Sequence, residues 1–137
     1  MRRSAGYAAV TFSFALGLLL VGGCTNPHEA RATEAIAILE SIANELSTIT
    51  DSASAEAAKP RLAELGDRWR DNDHRQTKQR PPTTREMAAI MKKYGAQFQS
   101  ANDRYDSERN RVKKIEGGPD ALAALGNLTG QPVLSRK

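Results

Sequence analysis

Three stretches of this chain place an apolar residue at every third or fourth position, and that spacing constrains the fold more than any other feature. The first runs Ala32, Ala35, Leu39, Ile42, Leu46 and Ile49, with Ile36, Ile38 and Ala43 widening it. The second is Ala55, Ala58, Leu62, Leu65 and Trp69. The third runs Met87, Met91, Tyr94, Phe98, Ala101, Tyr105, Glu108, Val112 and Ile115, and only Glu108 interrupts its apolar character. A repeat alternating three and four follows one face of an α-helix and not the two-residue period of a strand. Such seams hide from water only against one another. The expected fold is all-α: an antiparallel up-down-up three-helix bundle with a long third helix. An aromatic content of 5% suits this modest core better than a β-sandwich.

Local signals set the expected boundaries at about 27–48, 54–71, 84–116 and a short 120–127 within a domain spanning 24–128. Asn26-Pro27-His28-Glu29 reads as a helix start, with Asn as cap, Pro at the first helical position and Glu reaching back. Ser47 to Ser54 reads as a turn. The second seam crosses Pro60, so its helix is expected to start near Ser52 to Ser54, close enough to tolerate that proline; a start at Lys59 is the alternative. Asp71 to Pro82 has no apolar residue except its prolines and reads as a loop or a frayed helix end. Thr83 and Glu86 form a capping box before the third seam, and Gly117-Gly118-Pro119 ends it. On helix three Arg104 and Glu108, one turn apart, are expected to pair. Residues 129–137 are expected to be a disordered tail. The third helix could also overhang its partners and pair with a copy of itself.

The N-terminus reads as an address. Met1-Arg2-Arg3 is a short basic segment, Ala8 to Val21 is apolar, and Gly22 and Gly23 are small. The apolar span, from about Ala5 to Val21, is at the short end of the ~17–25 residues that cross a bilayer, so a secretory signal helix is preferred to an anchor. Without Arg2 and Arg3 the chain has 18 basic and 16 acidic side chains. That balance gives no reason to expect a nucleic-acid partner.

The stretch Val21-Gly22-Gly23-Cys24 resembles the lipobox of bacterial lipoproteins, with an aliphatic residue three places before the essential Cys and small residues between. The resemblance covers about the first 25 residues. It implies cleavage between Gly23 and Cys24, a diacylated Cys24 sulfur and often an acylated amino group. Two or three acyl chains, at ~0.8 kcal/mol per buried CH₂, hold a protein to a membrane durably. Thr25 stands where enteric bacteria use Asp to retain lipoproteins in the inner membrane, so the resemblance implies the periplasmic face of the outer membrane. The mature part is similar to small helical envelope lipoproteins.

In an up-down-up bundle whose first helix starts at the lipid, the second loop returns to the membrane. That loop holds Arg75, Lys78, Arg80 and Arg85, with His74, and has no acid between Asp73 and Glu86. These four basic residues are expected to rest on anionic head groups, each contributing ~1 kcal/mol; a solvated loop is the competing reading. The ending Ser135-Arg136-Lys137 is similar to that of the murein lipoprotein, whose terminal Lys side chain is joined to peptidoglycan. That resemblance implies Lys137 as a tether, although the family is one uninterrupted helix and this chain has turns. No catalytic, cofactor-binding or metal-binding set emerges. Asp71-Asn72-Asp73 opens like a calcium loop, but Gln76 replaces the required Gly and the closing Glu is missing. The expected function is therefore a non-enzymatic envelope module that contacts an envelope protein or peptidoglycan. A carrier for a hydrophobic or anionic ligand is the alternative, and it requires a cavity among the seams.

Overall fold

The computed structural model describes residues 26–128. Among them lie four helices and no strand: α1 (Pro27–Ser47), α2 (Ser52–Thr77), α3 (Thr84–Val112) and α4 (Gly118–Leu125). The signal segment with Gly23 and Cys24, and the tail with Lys137, lie outside the described residues.

The three long helices share one core, as a helical bundle does. Its centre is α1, where Ile38, Ile42, Ala43 and Leu46 are fully buried. The residues that widen the first seam let α1 face two neighbours. It packs against both α2 and α3, while no Cα of α2 lies within 8 Å of one in α3. The three seams therefore do not meet symmetrically. Leu62 and Leu65 of α2 and Ile90 of α3 complete the interior, each side chain contributing about 1.5–3 kcal/mol by its burial. The helix α4 packs mainly on α2 and touches α3.

Ion pairs show which ends meet. Near the start of α1, Glu34 meets Arg75 of α2 at 2.7 Å and Glu29 meets Lys93 of α3 at 2.9 Å. At the other end of α1, Arg111 of α3 donates to the carbonyls of Leu46 and Ile49, both at 2.7 Å. Here the polar interruption of the third seam acquires a reason. Glu108 accepts from Arg111 Nε at 2.8 Å and directs that cation to the negative end of α1. The expected Arg104–Glu108 pair is replaced by this one, because only Arg111 also reaches the α1 carbonyls.

Boundaries differ from expectation in three helices; the short one spans Gly118–Leu125 rather than 120–127, so Gly118 and Pro119 open α4. The second helix continues through the polar run to Thr77. Tertiary contacts extend it: Asn72 is buried and its amide donates to Arg31 O at 3.4 Å, while Arg75 joins Glu34. The third helix stops at Val112, short of Ile115, and Lys113 to Gly117 turn the chain toward α4. Pro60 sits well inside α2. Both it and Glu56, whose carbonyl loses its amide partner, are exposed, so water can hydrate that carbonyl.

The short helix closes on α2 over a glycine. A Cβ on Gly66 would lie 2.0 Å from Leu125 O, so only glycine lets the two backbones approach this far. Gly117, at φ +75°, makes the left-handed turn into α4. Gly66→Ala should therefore destabilise the fold by about 1–3 kcal/mol. Gly95→Ala should act in the opposite sense, raising stability by about 0.5–1 kcal/mol, because a Cβ there meets only Met91 Cε at 3.6 Å. Urea melts of the two variants check the pair of signs.

Candidate functional site

The end of the domain that follows Cys24 in sequence is built from the start of α1 and the segment joining α2 to α3. Asn26 caps α1 by accepting from His28 N at 3.0 Å, and Pro27 occupies the first helical position. Glu29 does not reach back to the cap. Its carboxylate instead accepts from Lys93 at 2.9 Å and from the Tyr94 hydroxyl at 3.2 Å, and the Lys93 bond above all holds it below its usual range. At this same end His28, Met87 and the α2–α3 residues Gln76, Thr77, Gln79, Arg80, Pro81 and Pro82 line a cavity of about 170 Å³. The His28 side chain is 1% exposed. Neither imidazole nitrogen, nor Oε1 of Gln79, has a hydrogen-bond partner among the described residues.

The four basic residues expected to form one membrane-facing set are divided by the fold. Arg75 is not in the loop. It lies on α2 and is paired with Glu34 and Asp71, at 2.7 and 3.2 Å. Arg80 is engaged by Glu86 through two bonds of 2.9 and 2.5 Å. Lys78, the C-cap of α2, and Arg85, in the first turn of α3, are exposed and have no ion pair among the described residues. The sequence contains no acid between Asp73 and Glu86, but α1 supplies Glu34 from across the bundle, and Glu86 folds back.

The Glu86 carboxylate is the most heavily bonded group in this region. It also accepts from Thr83 N at 2.8 Å and Thr83 Oγ1 at 2.9 Å, completing the capping box. The Arg80 guanidinium, followed by these Thr83 donors, holds its carboxyl far below the usual carboxylate range and raises Arg80 in return.

A second concavity lies at the other end. A half-open cleft of about 480 Å³ runs between α3 and α4, with Leu122, Leu125 and Leu128 on one side and Tyr105, Arg109 and Lys113 on the other. Burial raises the Tyr105 phenol above its ordinary value. Sequence reasoning missed this cleft. Tyr105, Arg109 and Lys113 recur every fourth residue, but that spacing does not say that α4 will fold opposite them.

Among the described residues no group of three or more His, Cys, Asp or Glu is placed to hold a metal ion. No helix among them is long and apolar enough to cross a membrane. Compared with protein-family profiles, characterised proteins and solved structures, the chain gives no match.

The depressed carboxyls give stability a defined pH dependence. The folded-state values of Glu86 and Glu29 lie below the ordinary 4.5, so their contribution is present above that pH and is lost as pH falls toward the folded values. Denaturation midpoints should drop between about pH 5 and pH 2, and Glu86→Gln should lower the neutral-pH midpoint while flattening that drop. Thermal melts by circular dichroism across this range check both expectations.

Proposed function

We propose that this chain is a lipid-anchored, non-enzymatic lipoprotein of the bacterial envelope, whose helical domain stands on the membrane as a small interaction module. The observation that carries the reading is the junction at the N-terminus. Val21-Gly22-Gly23-Cys24 supplies the lipobox pattern, and α1 begins only three residues after Cys24, at Pro27, behind an Asn26 cap. An acylated Cys24 would leave almost no linker, so the start of the bundle would sit at the head groups. The α2–α3 segment lines the same cavity as His28 and would sit there too.

In this reading the long helices run up, down and up from the bilayer, antiparallel in sequence order. The meetings of Glu34 with Arg75 and of Glu29 with Lys93 near the start of α1 support that order. Of the four basic residues, Lys78 and Arg85 have no ion pair among the described residues and would contact anionic head groups. A carrier that opened its seams would need a hollow interior. Instead Ile38, Ile42, Leu46, Leu62 and Leu65 have no exposed surface, which favours a packed interaction module. The proposed address is the periplasmic face of the outer membrane.

Mass spectrometry of the native protein tests the anchor. The mature chain should begin at Cys24 and carry diacylglyceryl mass, and Cys24→Ala should abolish fatty-acid labelling; a native N-terminus elsewhere, or one without lipid, ends the proposal. Surface contact is tested separately in a Cys24→Ser chain by sedimentation with anionic vesicles. Lys78→Gln with Arg85→Gln should weaken binding by about tenfold or more, at ~1 kcal/mol per charge, while Arg75→Gln should have a much smaller effect.

A further inference from the structure

We infer that the cleft between α3 and α4 is a binding site for a small amphiphilic anion, an apolar chain or ring ending in a carboxylate or phosphate. The proposal goes beyond the anchor reading and does not depend on it. Its volume, about 480 Å³, is within the ~300–1,000 Å³ usual for small-molecule sites. One wall is apolar, with Leu122 and Leu128 half-buried and Leu125 buried. The opposite rim carries Arg109 and Lys113, one helical turn apart.

That pairing of cations distinguishes the site from ordinary helix-end charge. Cations near a helix C-terminus are favourable, and Arg111 illustrates this by serving the carbonyls of α1. Arg109 and Lys113 instead border the cleft, and neither has an ion pair among the described residues. Like charges four residues apart on a helix repel. An anionic head group between them would relieve that repulsion and form charge-assisted hydrogen bonds with both. Tyr105 lines the same cleft, and its hydroxyl adds a third donor. Asp106 is directed elsewhere, accepting from Asn102 at 3.2 Å.

Octanoate is a suitable probe, titrated into the full chain in nanodiscs, with protein-free nanodiscs subtracted. Saturable binding should appear, and 1-octanol, of the same length without the charge, should bind at least about tenfold more weakly. Arg109→Gln with Lys113→Gln should remove that preference while leaving the helical content unchanged, since both side chains are exposed. Leu122→Asp should abolish binding of both probes. Octyl phosphate binding more tightly than octanoate would assign the head group as phosphate, and the reverse would assign it as carboxylate; either supports the site. The proposal is overturned by three outcomes: no saturable binding, equal affinity for octanol, or octanoate binding unchanged in the double glutamine variant.

Discussion

The structure depends on the breadth of the apolar surface of α1. Most surface helices bury one stripe, but this helix buries residues at so many angles that a single neighbour cannot cover them. Ile38, Leu39, Ile42, Ala43 and Leu46 are all buried. The remaining helices are arranged to satisfy that demand: α2 on one flank, α3 on the other, with neither approaching the other closely. The cost of leaving any face of α1 in water makes it the organising element.

Polar contacts then fix the register that apolar burial leaves loose. Each end of α1 is met by specific groups: Glu29 and Glu34 by Lys93 and Arg75 near its start, the Leu46 and Ile49 carbonyls by Arg111 at its end. Exposed ion pairs of this kind contribute little to stability individually. Their value is positional, because sliding α3 by one turn would separate Arg111 from the carbonyls and Lys93 from Glu29 together. Of these contacts Glu34–Arg75, together with the separate Arg80–Glu86 pair, engages two of the four basic residues expected at the loop, leaving Lys78 and Arg85 without an ion pair among the described residues.

The two ends of the domain are accordingly different surfaces. The end next to the proposed anchor has a small cavity, a capping box tightened by Arg80 and two free cations. The other end has a cleft with one leucine wall and a cationic rim, made where α4 packs on α2 and touches α3. If the domain is anchored through Cys24, the cleft faces away from the bilayer and is open to soluble ligands.

Periodicity and capping chemistry were legible in the chain itself. The first two seams placed the core residues of α1 and α2, Thr83 and Glu86 announced the start of α3, and Asn26-Pro27 that of α1, because these depend on residues only a few positions apart; in α3 the seam placed Ala101 and Val112, but Ile90, off it, is buried and Met91, on it, is exposed. The course of α2 past Asp71 was not legible. The run to Thr77 has no apolar signal, and it is helical because Arg31 and Glu34, some forty residues away, engage Asn72 and Arg75. For the same reason the partners of Arg75 and Arg80 were not visible in the sequence, nor was the cleft beside Arg109 and Lys113. By itself the sequence determined where the long helices begin and which faces of α1 and α2 must leave water, since both follow from local spacing. Only the tertiary structure decided which charges remain free and where a ligand could sit, because those depend on groups brought together from distant parts of the chain.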